Sequence, residues 1–101
     1  MAALRFHPEA INDVDQSILR YEAQQPGVGD RFDAKIKAAY AKIQRHPRAW
    51  PIRKKDARHY KVDRFPYNVI YVERPNAIWI VAVAHEKRHP NFWTKRLKDI
   101  P

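Results

Sequence analysis

The chain has no cysteine, two glycines, one serine and one threonine in 101 residues. Each scarcity removes a chemistry. Without cysteine there is no disulfide frame, no thiolate nucleophile and no thiolate metal site, a pattern that suits a reducing cytoplasm. With Gly27 and Gly29 as the only glycines, neither a Walker A loop nor a G-x-G-x-x-G fingerprint can be built. Ser17 and Thr94 stand outside any G-x-S-x-G turn. No apolar run approaches the ~20 residues of a membrane span, and the N-terminus lacks a signal-peptide core. No membrane, metal or cofactor is expected.

What remains is 45% hydrophobic and 12% aromatic, with 20 Lys+Arg against 11 Asp+Glu, a net charge of +9. Such a chain has the apolar content of a globule and the length of one domain, 1–101, with a single modest core. The charge is clustered. Residues 1–41 carry five basic and six acidic side chains, whereas residues 42–64 carry nine and two. Residues 65–84 balance, and residues 85–101 carry five basic against two acidic. Clusters of this kind draw in polyanions or acidic proteins.

Alternation in residues 3–7 predicts a short first strand. Pro8, Glu9 and Asp13 suit the start of a helix, and Ile11, Val14, Ile18 and Tyr21 give it an apolar stripe over 8–24. Pro26 to Gly29 breaks it. Asp30 and Asp33 open a second helix, with stripe Phe32, Ile36, Ala39 and Ile43, which Pro47 stops. Residues 47–58 read as an exposed loop. Strands are predicted at 60–64, 67–73 and 78–84, the last two forming a hairpin about Arg74 to Ala77. The last strand is apolar on both faces, so it is expected inside the sheet. A short helix follows Pro90. The order β-α-α-β-β-β-α predicts an α+β domain: a helical hairpin packed on a mostly antiparallel four-stranded sheet.

His85-Glu86-Lys87-Arg88-His89 matches H-E-x-x-H, but a strand end at His85 and Pro90 after His89 deny it the helix that a zinc site needs. The two basic segments flank the hairpin, so Arg53, Lys54, Lys55, Arg58, Lys61 and Arg64 are expected to meet His85, Lys87, Arg88, Lys95 and Arg96. The interleaved Tyr60, Phe65, Tyr67, Phe92 and Trp93 either stack on bases or pack the core. For phosphodiester cleavage, His85 or His59 is the available base and Arg58 or Arg88 the clamp.

Three strings taken together resemble one family. Arg64-Phe65-Pro66-Tyr67-Asn68-Val69-Ile70-Tyr71, Ala82-Val83-Ala84-His85 and Arg88-His89-Pro90-Asn91-Phe92-Trp93 are similar to the F-P-Y-x-x-x-Y, A-V-A-H and R-x-P-x-Y/F-W segments of the ParE branch of the RelE/ParE toxin superfamily. His7-Pro8-Glu9-Ala10 and His46-Pro47 also look like that family. The resemblance implies the toxin of a type II toxin–antitoxin pair, often a plasmid-stabilisation protein, with a small, acidic, partly disordered antitoxin as partner. It also implies DNA gyrase as the target and no enzymatic activity. The RelE branch instead cleaves mRNA on the ribosome, and there the candidate catalytic residues are His85, Arg88, Arg58 and Lys61. Asn68 stands where that branch commonly has an Arg, and no Tyr follows Tyr71. For target contact the candidates are Arg58, Arg64, Arg88, Trp93 and Arg96, with Trp93 and Phe92 alternatively pinning the last helix to the sheet and His85 orienting Arg88.

Overall fold

A computed structural model of the chain describes residues 2–101. After strand β1 (Ala3–Phe6), helix α1 (Pro8–Gln24) starts at Pro8 because that residue lacks the N–H a first turn leaves unpaired. The His7 imidazole caps it, Nδ1 accepting the Glu9 N–H at 3.0 Å. Helix α2 (Val28–Arg45) begins earlier than Asp30. Its N-cap is Gly27, at φ 91°, whose lack of a side chain is made good by Glu22 of α1. The Glu22 carboxylate accepts the N–H groups of Gly27 and Gly29, both at 3.0 Å. A negative charge there also complements the helix dipole. Gly29 is needed for the close approach, since a Cβ would lie 2.8 Å from the Ile18 carbonyl oxygen.

The sheet has five strands in the order β1-β5-β4-β3-β2, and it is mixed, not the mostly antiparallel four-stranded sheet expected. The added strand, β2 (Ile52–Lys54), lies inside the segment read as a loop. It pairs antiparallel with β3 (Ala57–Lys61) through a two-residue turn at Lys55 and Asp56, both at positive φ (50° and 67°). That is the backbone of a tight hairpin turn built without the usual Asn-Gly or Asp-Gly. Strand β3 starts three residues earlier than expected. It ends at Lys61 because Asp63 to Pro66 turn, with Arg64 at φ 67°. Strands β4 (Tyr67–Arg74) and β5 (Ala77–His85) form the expected hairpin. β1 pairs parallel with β5, from Ala3↔Ala77 to Phe6↔Ile80.

Both faces of the sheet are covered. On one, α1 and α2 bury Phe32, Ile36 and Ile43 against Tyr60, Val69, Tyr71 and Ile80. On the other, Trp93 and Ile100 from the C-terminal segment pack on Ile70, Val72, Val81 and Ala84. This explains why β5 is apolar on both sides. The segment contains a 3-10 turn (Thr94–Asp99) rather than an α-helix.

One ion-pair cluster joins the layers. Beyond Ile80 the edge of β5 has no strand beside it. There Asp13 of α1 accepts the Val83 N–H at 3.1 Å, and the Arg96 guanidinium donates to the Val81 carbonyl at 3.0 Å. Arg96 also binds Asp13 with both terminal nitrogens, at 2.8 and 3.2 Å. The side chains of Asp13 and Arg96 are 5% and 11% exposed, so their mutual neutralisation is what lets them be buried. His7 Nε2 donates to Asp99 at 2.8 Å and adds a second tie.

Candidate target-binding cleft

The two basic segments do meet. A cleft of about 230 Å³ opens on the face away from the helices, between β3, β4, the end of β5 and the loop after it. Arg53, His59, Asn68, His85, Arg88 and His89 line it. β2 carries Arg53 to the rim, which is why a segment read as a loop matters to the site. Lys54 of β2 donates to Asn91 and ties the two rims together.

The imidazoles differ in their hydrogen bonding. His85 accepts the Lys87 N–H on Nδ1 at 3.0 Å, and His89 accepts the Asn91 N–H on Nδ1 at 3.1 Å. Each neutral ring therefore carries its proton on Nε2 and presents it as a donor. His59 stacks edge-on against Trp93, with ring centroids 6.0 Å apart. Its Nε2 is buried and finds no hydrogen-bond partner among the described residues. Burial first, then the positive charge of Arg53, lowers its pKa and favours a neutral ring. Arg88 stacks over Phe92 at 3.7 Å from the ring centre and is 48% exposed, 3.6 Å from Asp13. The arrangement is a donor-rich concavity with a fixed cation at its mouth, suited to holding an anionic or carbonyl-rich surface.

Of the residues singled out from sequence, Arg53, His59, His85, Arg88, Phe92 and Trp93 line this cleft. Arg58 points to the helix side, where it donates to the Trp50 carbonyl at 2.6 Å. Lys61 is engaged with the carbonyls of Val62 and Phe65, at 2.9 and 2.6 Å, and with Glu86 at 3.6 Å, so it holds a turn together. Arg64 stands exposed on that turn, 3.9 Å from Asp63. Two expected contact residues are held mainly within the fold. Trp93 lies along the inner wall of the cleft but is 1% exposed and packs in the second core. Arg96 is committed to Asp13 and Val81. Tyr60 and Tyr67 are core residues too. The ring of His85 orients the Lys87 backbone rather than the Arg88 side chain.

The H-E-x-x-H string runs from the end of β5 into a turn, with no helix to align its histidines. His89 and Asn68 are cleft residues that the sequence reading discussed without naming them as site candidates. Their signal was position, the one beside Arg88 and the other two residues before Ile70 on the same strand face.

A family model described as ParE toxin of type II toxin-antitoxin system, parDE, matches residues 4–90. The chain belongs to the ParE toxin family. Membership covers the helical hairpin, all five strands and the cleft's His85 and Arg88, whereas Trp93 and Arg96 lie beyond the matched stretch. The fold is also similar to that of a solved structure from P. aeruginosa, its chromosomal ParDE TA system, with a TM-score of 0.65. That likeness covers 84% of this chain and 96% of the other at 13% identity, and so concerns the fold. No curated protein matches the chain. Among the described residues no helix is long and apolar enough to cross a membrane.

Proposed function

We propose that this ParE-family toxin acts in the cytoplasm by poisoning DNA gyrase, and that a cognate acidic antitoxin holds it inactive. The observation that carries the reading is the family match across residues 4–90 together with a basic, donor-rich cleft at the end of β5. Arg88 is the leading contact residue, since it is half-exposed, stacked and aimed from the cleft's rim. Arg53 adds charge on the cleft wall, and Arg64 is exposed on the turn between β3 and β4. Asn68 on the cleft floor supplies an amide where an mRNA-cleaving relative commonly supplies a guanidinium, which favours binding over transition-state charge stabilisation.

One observation favours a second reading. His59 and His85 line the same cleft as two arginines, the residue types that ribosome-dependent mRNA cleavage needs. The test runs both assays on one preparation: gyrase supercoiling, and translating ribosomes read by primer extension. Inhibited supercoiling without cuts is expected, and Arg88→Gln should weaken it. Codon-spaced mRNA cuts with supercoiling intact refute the gyrase reading in favour of an interferase. Inactivity in both, with no growth arrest on expression, refutes a working toxin.

A further inference from the structure

On the other side of the His85–Arg88 ridge lies a groove with a different chemistry. Two adjoining cavities of about 400 and 350 Å³ follow α1 and share Arg20, Tyr67 and His85. The helix lines them with Asn12, Gln16, Arg20 and Gln24, four exposed residues at intervals of four. Residues so spaced form one ridge along a helix and rise about 6 Å per step. An extended peptide rises about 6.6 Å per two residues, so its backbone repeats nearly in step with the ladder.

The groove's cations are under-used. Arg20 makes two long contacts, 3.3 Å to the Ser17 hydroxyl and 3.3 Å to the Tyr67 hydroxyl. Arg88 stands 3.6 Å from Asp13, whose carboxylate is already taken by Arg96 and the Val83 N–H. His85 presents Nε2–H. Charge complementarity asks for carboxylates or phosphates. The amides choose between them, because Asn and Gln offer a donor and an acceptor each, which peptide groups match and phosphates do not. Strand addition is not available here, since Val81 O and Val83 N–H on this edge of β5 are occupied.

We propose that this groove binds an extended acidic segment of a partner protein, about seven residues long, its backbone on the Asn12–Gln16–Gln24 amides and its carboxylates on Arg20, Arg88 and His85. The proposal rests on the toxin–antitoxin reading only for the identity of that partner. Because Arg88 and His85 line both the groove and the cleft, an occupied groove withdraws them from the target.

The experiment titrates the protein with a blocked peptide of alternating glutamate and valine, about seven residues long, and with an oligothymidylate of equal charge, followed by amide NMR shifts. The peptide is expected to bind more tightly and to shift residues of α1. Arg20→Gln with Arg88→Gln should weaken it about tenfold, and Gln16→Ala with Gln24→Ala about threefold. Lys42→Gln with Arg45→Gln, which removes the same charge from the far end of α2, should stay within about twofold. Tighter oligothymidylate binding, equal effects of the two charge-removing pairs, or no binding overturns the proposal. Growth arrest on expression separates the two ideas: arrest without peptide binding defeats the groove alone, and binding without arrest defeats the toxin reading alone.

Discussion

Replacing Asp13 with alanine removes one carboxylate and strands two buried groups. Arg96, 11% exposed, loses both of its charge-assisted hydrogen bonds and keeps only the Val81 carbonyl, while the Val83 N–H loses its acceptor. Breaking a buried pair from one side costs about 3–5 kcal/mol, and an orphaned buried N–H about 1–3 kcal/mol. The two overlap, so the expected loss is about 4 kcal/mol, a large share of the 5–15 kcal/mol typical of a whole domain. The reverse change, Arg96→Ala, leaves Arg88 3.6 Å away to turn toward Asp13, so about 2–3 kcal/mol is expected there. In the double variant neither charge is stranded, and its cost should fall short of the sum by about 1–3 kcal/mol. Urea unfolding of the four proteins, followed by Trp fluorescence, measures all three differences. A loss below about 1 kcal/mol in Asp13→Ala, or additive single effects, refutes the assignment of this carboxylate as the tie between α1, β5 and the C-terminal segment.

Four further positions give measurable outcomes. Trp93→Ala should destabilise by about 3–5 kcal/mol in the same urea assay through the cavity it leaves, while Trp93→Phe keeps the fold. Gly29→Ala should cost about 1–3 kcal/mol in the same unfolding assay, because its Cβ meets the Ile18 carbonyl, and an unchanged midpoint would contradict that packing. Tyr71→Phe removes the 2.7 Å bond to the Pro47 carbonyl at a cost of about 1 kcal/mol. In the parent protein the Tyr71 phenol, pushed up to about 12 by burial, should stay un-ionised in ultraviolet titration well past the ordinary value. His59 binds its proton less readily in the fold than in the unfolded chain, whose value is about 6.5. Its contribution to stability is therefore complete above that pH and declines as pH falls from there toward the lower folded value. Imidazole NMR showing His59 titrating at or above about 6.5 would contradict this.

Local signals made the helices and the central hairpin readable. The stripe Val14, Ile18, Tyr21 and the pair Pro8 and Glu9 specify α1 within the chain's own neighbourhood, and β5 announces its two-sided burial by being apolar throughout. β2 was illegible because its turn starts with Lys55, a residue that seldom accepts positive φ, followed by Asp56 without the usual glycine, and because the strand is short and exposed on both sides. The parallel pairing of β1 with β5 joins residues more than seventy positions apart, and no periodicity records it. The same distance hid the fate of Arg96. As sequence it was one more basic residue beside aromatics, and only its meeting with Asp13 converts it from a surface charge into a buried one. Arg88 was legible because nothing distant claims it fully. The amide ladder of α1 was in view throughout, yet it resembled an ordinary solvated face until Tyr67 and His85 formed the opposite wall.

The tie between Asp13 and Arg96 also sets a clock. The two residues are 83 positions apart, so a ribosome adding about 5–20 residues per second delivers them roughly 4–17 s apart. During that interval α1 and α2 can associate while Asp13 has no counter-charge, and once β5 is made its Val81 carbonyl and the second face of the sheet still await residues 92–100. The native protein, and with it the arrangement of Arg88 over Phe92, comes into being only after residues 92–100 have left the ribosome. The cleft is thus the last part of the molecule to be completed, after α1 and its exposed groove residues have been made.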